Sequence, residues 1–392
     1  MRYFSKKSLI ILPAAVFLSL GALEFGLWVF RPWAWFHPRG FNAANLHYQS
    51  TIYGDYINNA TDVDPMTGDF LATPIMRQAT IITDSYGERN DRSPHTAFAV
   101  MMGDSMANGD GNSHKDIPTQ QLSRMIKKRV ILPFKPRGYD RFGAAALYLR
   151  HRKPTKAATF IFLLHDQWFR EPLASVAPID QIDRAYLRDD FNNLDPSWQA
   201  NFQNFKAELR AWSGNAILAR KTKTTIKRTI IQAVSKMGIY HHKTNLVYLP
   251  NRGKKIIFEQ LPEDIVDITH GHAKFDRLFS GTKKLAAIAQ REGVNFLVVL
   301  IPAKEYPYNQ FRSSPVWIEN YGPASKFNRA LVNAGINTVF SHPVLFDAVK
   351  REIEDGAPPV YWGDDGHWGP YGIRITMELI RDKLISLRIL EH

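Results

Sequence analysis

The sequence predicts an α/β protein: a parallel sheet covered by helices on both faces, behind one N-terminal membrane-spanning helix. Three observations carry this expectation. From Thr96 onward, apolar runs of strand length alternate with stretches of helical periodicity, which is the pattern of βαβ units. Residues 9–30 form a nearly unbroken apolar run. The chain has 392 residues, 45% hydrophobic and 22% charged, so it can bury a full core and is neither disordered nor fibrous.

In chain order, residues 1–8 carry Arg2, Lys6 and Lys7, and the apolar run Leu9 to Phe30 follows. As a helix that run rises about 33 Å at ~1.5 Å per residue, enough for a hydrocarbon core of about 30 Å. Basic residues before it place the N-terminus in the cytoplasm, and Trp28, Trp33 and Trp35 suit an aromatic belt on the far side. Glu24 breaks the run near its end, within reach of the interface. The competing reading is a cleaved signal peptide, for which Ser19-Leu20-Gly21 is a poor cut site. The expected topology is a single pass through a bacterial inner membrane, with everything after about residue 40 periplasmic or extracellular. That compartment excludes nucleic acid as the partner.

Residues 31–94 read as an irregular lead-in rich in Asn, Asp, Gly and Pro, and residues 95–392 as the α/β domain. Thr96–Met102 is the first strand, and Thr119–Lys128 a helix after it. Val130–Phe134 and Ala157–Leu164 are the second and third strands. Val294–Ile301 is the strongest strand signal. Before it lies a helix with Phe275, Leu278, Leu285, Ile288 and Ala289 on one face. Ala324–Ala334 is a helix, Ile336–Phe340 the last strand, and Tyr371–Leu387 a closing helix with Pro370 at its start. Between the third and fourth strands, about residues 170–272 read as a mostly helical insertion or cap. No internal repeat is visible.

The chain has no cysteine. Disulfides, thiolate metal sites, iron–sulfur clusters and a cysteine nucleophile are therefore excluded. The net charge of +13 favours an anionic partner, which outside the cytoplasm means lipid headgroups or an acidic polysaccharide. Lys206–Lys255 holds a dozen Lys and Arg against Glu208 alone, and Ile217–Met237 can form an amphipathic helix. It reads either as a membrane- or glycan-facing surface or as a solvated face packed on the sheet. His241-His242 and His270-Gly271-His272 lack the i, i+4 spacing of a helical metal pair. No metal or organic cofactor is implied.

Two places are loaded with chemistry. The first strand runs into Gly103-Asp104-Ser105, where a serine at a strand-to-helix turn is well placed to act as a nucleophile. Just before the last helix the chain reads Gly363-Asp364-Asp365-Gly366-His367-Trp368-Gly369-Pro370. A serine nucleophile needs a base of near-neutral pKa, and that base needs an acceptor to hold its tautomer. Asp and His on one loop supply both. In a parallel α/β sheet, ligands bind at the carboxyl ends of the strands, where both places fall.

These residues resemble the SGNH (GDSL-type) hydrolase superfamily, in which a GDS block opens the domain and a D-x-x-H or D-x-H block closes it. Thr83 to Asn90 (TDSYGERN) resembles the lead-in of membrane-anchored members, and Leu300 to Pro307 (LIPAKEYP) resembles another of their segments. Asp365-Gly366-His367-Trp368 resembles the signature of the alginate O-acetyltransferase group, although there the Asp-His block precedes the serine block. The matches span about residues 80–385, with the middle unmatched. The resemblance implies a three-layer flavodoxin-like SGNH fold, with Ser105 as nucleophile and His367 as general base. Asp365 (D-x-H) is the assigned acid and Asp364 (D-x-x-H) the alternative. The Ser105 backbone N–H would be one oxyanion donor. The family's other two donors, a glycine and an asparagine, are both replaced here, leaving Gly138 and His165 as candidates. Lys304 and Tyr306 follow the fourth strand and face the site or pack beneath it. The implied activity is a serine-dependent O-acyl ester hydrolase or O-acetyltransferase acting on a cell-envelope or secreted polysaccharide. The other reading is an inactive SGNH-like protein that binds or assembles glycan.

Overall fold

The computed structural model describes residues 77–84, 88–91, 97–133, 141–151, 157–166, 272–311, 315, 321–363 and 365–391. It also describes a helical piece at 18–22 and the strands at 61–66, 245–248 and 255–258. In chain order the elements are β1 (Thr61–Met66), β2 (Arg77–Ile82), β3 (Ala99–Met102), α1 (Ser105–Asn108), α2 (Pro118–Ile126), β4 (Val130–Ile131), α3 (Arg141–His151) and β5 (Thr159–His165). There follow β6 (Asn245–Tyr248), β7 (Lys255–Phe258), α4 (His272–Arg291), β8 (Asn295–Ile301), α5 (Glu305–Asn309), α6 (Pro323–Asn333), β9 (Asn337–Phe340), α7 (His342–Glu354) and α8 (Pro370–Ser386).

The protein is α/β, built on a five-stranded parallel sheet in the order β4-β3-β5-β8-β9. Counting only its own strands, this is the order 2-1-3-4-5, compatible with a flavodoxin-like sheet. Strands buried on both faces need continuous apolar runs. Thr159–His165 (TFIFLLH) is buried at every position, and Asn295–Ile301 (NFLVVLI) at all but the first. Successive side chains then alternate between two cores. Ile161, Leu163, Leu297 and Val299 join α2, α7 and α8 on one face, while Phe160, Phe162, Val298 and Leu300 join α3, α4 and α6 on the other. The topological switch lies between β3 and β5, which puts the opening at the end of β3 next to the end of β5.

The strands and helices of the α/β domain match the expected order, with boundaries shifted by a few residues. Leu278, Leu285, Ile288 and Ala289 of α4 are buried in one core, with Phe275 packed against it. Pro118, Pro323 and Pro370 occupy the first turns of their helices, where a missing N–H costs nothing. Besides the short α1 and α5, two longer helices had no counterpart in the sequence reading. In α3 the residues Phe142 to Leu149 are small or apolar and uniformly buried, so no helical period stands out. In α7 the period was present, since Leu345, Ala348, Val349, Glu352 and Ile353 share the buried face.

The lead-in is not wholly irregular. Within it β1 and β2 pair antiparallel, Thr61 opposite Ile82 and Met66 opposite Arg77. Pro65 and the acidic residues of β1 (TDVDPM) interrupt the alternation that would reveal it in sequence. The insertion lies mostly outside the described residues, as do Ile217–Met237 and His241-His242. Its described part is the antiparallel hairpin β6–β7. Most of residues 9–30 also lies outside them. Residues 18–22 are helical and exposed, and among the described residues no helix is long and apolar enough to cross a membrane.

Candidate active site

Ser105 owes its position to the turn that precedes it. Gly103 carries the chain from β3 so close to β5 that a Cβ there would lie 2.9 Å from the Leu163 carbonyl oxygen and 3.0 Å from Ala107 Cβ. Asp104 caps α1, its Oδ1 accepting from the Met106 backbone N–H at 2.9 Å. At the other end Gly109 adopts φ +69° and donates to the Met106 carbonyl at 3.1 Å. A short helix pinned at both ends thus presents Ser105 at the carboxyl edge of the sheet.

The Asp–His segment is a tight loop closed on itself. Gly369 N–H donates to Val360 O at 2.8 Å, Trp362 N–H to His367 O at 3.0 Å and Asp365 N–H to Trp362 O at 3.3 Å. Trp368 is fully buried and its indole N–H donates to Met106 O at 3.2 Å, tying the loop to the serine's helix. Across this junction His367 Nε2 lies 2.7 Å from Ser105 Oγ, and His367 Nδ1 lies 2.6 Å from Asp365 Oδ1. The His367 backbone N–H also donates to Asp365 Oδ1 at 3.2 Å.

Burial by itself pushes the Asp365 carboxyl upward, but the charge and hydrogen bonds of His367 together with the Arg77 guanidinium outweigh it, and the pKa falls below its ordinary 3.8. An ionised Asp365 can only accept, so the His367 proton resides on Nδ1 and Nε2 is left to accept from the serine hydroxyl. The geometry can therefore draw a proton from Ser105 and hold the resulting imidazolium against a fixed carboxylate.

No protein-family model matches the chain, and neither the curated proteins nor the solved structures searched contain a match to it.

Of the other residues singled out from sequence, Asp364 and Gly138 lie outside the described residues. His165 ends β5, buried, with Nδ1 3.9 Å from Oδ2 of Asp104, the residue before Ser105. Lys304 is only 1% exposed, and its ammonium donates to three loop carbonyls: Trp362 at 2.7 Å, Gly363 at 3.1 Å and Asp365 at 3.0 Å. Tyr306 is buried in the core on the α3, α4 and α6 side. Lys304 thus supports the histidine loop from below.

The structure adds residues that sequence reasoning did not assign to the site. Arg89, fully buried, donates to Asn108 O at 3.3 Å, Gly109 O at 3.1 Å and Asn112 O at 2.7 Å, bracing the loop after Ser105. Asn90 exchanges hydrogen bonds with the Leu132 backbone, both at 2.9 Å, and donates to Asp84 Oδ2 at 2.7 Å. These are residues of the TDSYGERN segment, so the signal was in the sequence without its purpose. Asn112 joins the two loops: its amide donates to Trp368 O at 3.0 Å and its oxygen accepts from the Trp362 indole at 3.2 Å. Farther along the same edge, Asp166 accepts from His342 Nε2 at 2.9 Å, a buried pair linking the end of β5 to the start of α7. Arg77 of β2 reaches Asp365 Oδ2 at 3.4 Å. Nothing local in its sequence points there.

Proposed function

We propose that this chain is a serine-dependent O-acyl esterase or O-acetyltransferase of SGNH type that acts on a cell-envelope or secreted polysaccharide. The observation that supports it is the unbroken relay from Asp365 through His367 to Ser105, with links of 2.6 and 2.7 Å. In this reading Ser105 Oγ attacks the acyl carbonyl while His367 Nε2 takes its proton. The tetrahedral adduct collapses, the ester C–O bond breaks, and His367 returns the proton to the departing alcohol. Water or a sugar hydroxyl then gives its proton to His367 and attacks the acyl-serine; the Ser105 Oγ–acyl bond breaks, His367 returns the proton to Oγ, and the acid or the acylated sugar is released. The developing oxyanion is met by the Ser105 backbone N–H, with His165 as the candidate side-chain donor; one such donor is worth roughly 2.7–4 kcal/mol. In its finer form this reading also makes the apolar run 9–30 an uncleaved inner-membrane anchor, with the α/β domain on the periplasmic or outer side.

A second reading, an inactive SGNH-like glycan-binding or assembly protein, draws on one observation. Where the family places its donor asparagine after the third strand, this chain has Leu164-His165-Asp166.

The deciding experiment uses the full-length chain and its Ser105→Ala variant, with a chromogenic acetyl ester and an acidic oligosaccharide. Acetate release that disappears in the variant supports the serine mechanism, and acetylated oligosaccharide in the product assigns a transferase. No turnover, together with no labelling of Ser105 by a serine-reactive phosphonate, would leave the binding-protein reading standing.

A further inference from the structure

Arg77 lies on β2, in the hairpin ahead of the α/β domain, 288 positions from the carboxylate it reaches. Among the described residues its guanidinium makes three contacts, each to a different part of the site. Nε donates to the Gly111 carbonyl at 3.1 Å, on the loop that follows the nucleophile. A terminal nitrogen donates to Asp365 Oδ2 at 3.4 Å, the carboxylate oxygen that His367 leaves open. The planar group stacks on Trp362 with its central carbon 4.3 Å from the ring centroid. A planar fork with several fixed donors and a π-face can make these contacts together; an ammonium cannot.

The pair is largely shielded from water, with side chains 10% and 7% exposed, so the charges act on each other with little screening. Among the described residues, other charged groups around the imidazole are few. Asp365 shares its loop, Lys304 lies beneath with its ammonium on backbone carbonyls, and Asp104 and His165 sit behind Ser105. Among the described residues, Arg77 is thus the cation that directly meets the carboxylate facing His367.

Resting on the esterase or transferase reading above, we infer that Arg77 is a positioning residue of that reaction. It clamps the nucleophile loop to the histidine loop and partly neutralises Asp365, which keeps His367 from being over-stabilised as imidazolium. The hairpin β1–β2 is therefore part of the working centre. Without the cation, Asp365 would hold the proton on His367 more tightly, and the base would become free only at higher pH.

The test follows phosphonate labelling of Ser105 in the full-length chain against pH, which needs no knowledge of the natural substrate. In Arg77→Met, the rate should fall about tenfold to a hundredfold, as expected for a loosened reacting geometry. The midpoint of its acidic limb should move up by about half a pH unit or more, since charges at this range shift neighbours by that order. Arg77→Lys keeps the charge but loses the fork, so its rate should fall while its midpoint stays near that of the parent. If Arg77→Met does not fold, Arg77→Gln, which can still donate to Gly111, makes the same comparison with Arg77→Lys. A neutral variant whose midpoint matches that of the parent would overturn the inference, as would a lysine variant that shifts as far as the neutral one. Absence of labelling in the parent chain would instead defeat the serine-enzyme reading itself.

Discussion

Lys304 Nζ donates to the backbone carbonyl of Asp365 at 3.0 Å, from a side chain that is almost wholly buried. The same ammonium serves the carbonyls of Trp362 and Gly363, so one cation satisfies three main-chain acceptors of the loop that carries His367. The loop is short and lacks a regular ladder of its own. Its shape is held by that cation from below, by Trp368 packed against α1, and by Asn112 from the side.

Replacing Lys304 by Met removes three donors; the Trp362 carbonyl keeps the Asp365 N–H, but the buried Asp365 carbonyl loses its ammonium partner, at a cost of about 1–3 kcal/mol before relaxation. The expected result is a fall in melting temperature together with slower labelling of Ser105. Calorimetry and labelling on the same sample check both. Unchanged labelling in a folded Lys304→Met protein would show that the loop keeps its shape without the ammonium.

Asp365→Asn keeps the shape of the acid but loses its charge, and its amide can offer a hydrogen to His367 where an acceptor is needed. Turnover of an acyl ester should drop by about 10⁴-fold while the fold survives. The pH dependence has a defined sign. Because the folded-state pKa of Asp365 is lowered, its ionised form adds stability above the ordinary value of 3.8, and that contribution is lost as pH falls through the lower folded value. The parent should therefore lose stability below about pH 4 more steeply than Asp365→Asn, as urea titrations at several pH values would reveal.

His114 sets a second, separate window. Burial, and then the nearby Arg89 cation, press its pKa from 6.5 to about 4, with Asp91 opposing weakly. The folded chain keeps this imidazole neutral, whereas the unfolded chain protonates it at 6.5. Stability is therefore complete above pH 6.5 and declines as pH falls toward 4, by an amount on the order of 3 kcal/mol. His114→Gln should flatten the decline across that interval. Equal slopes for parent and variant would show that His114 titrates alike in both states.

Arg89 braces three carbonyls of the loop after Ser105 from a fully buried position. Arg89→Met should destabilise the protein by about 3 kcal/mol or more. It should also raise the hydrogen-exchange rates of amides in residues 105–112, where α1 and its following loop lose their support. Exchange rates that stay at parental values across that segment would argue that Asp104 and Gly109 hold α1 without help.

Sequence and tertiary structure each account for a different part of this picture. The α/β alternation, the fully apolar strands β5 and β8, and the proline-led helices were legible because hydrophobic period and helix starts are local properties of a chain. The candidate residues Ser105, Asp365 and His367 were legible for a similar reason: each sits in a short segment whose residue types already suggest a role. The helix α3 and the hairpin β1–β2 were not, because uniform burial erases the period in one and Pro65 with its acidic neighbours erases it in the other. Only the tertiary structure decided that Ser105 and His367, 262 positions apart, meet at 2.7 Å. It alone decided that Arg77 reaches Asp365, that Arg89 supports the loop after Ser105 and that Lys304 lies beneath the loop of His367. Those contacts follow from strand order and from which loops share the sheet's carboxyl edge. Side-chain periodicity tells each segment which face to bury, but it carries no information about which distant segment will cover it.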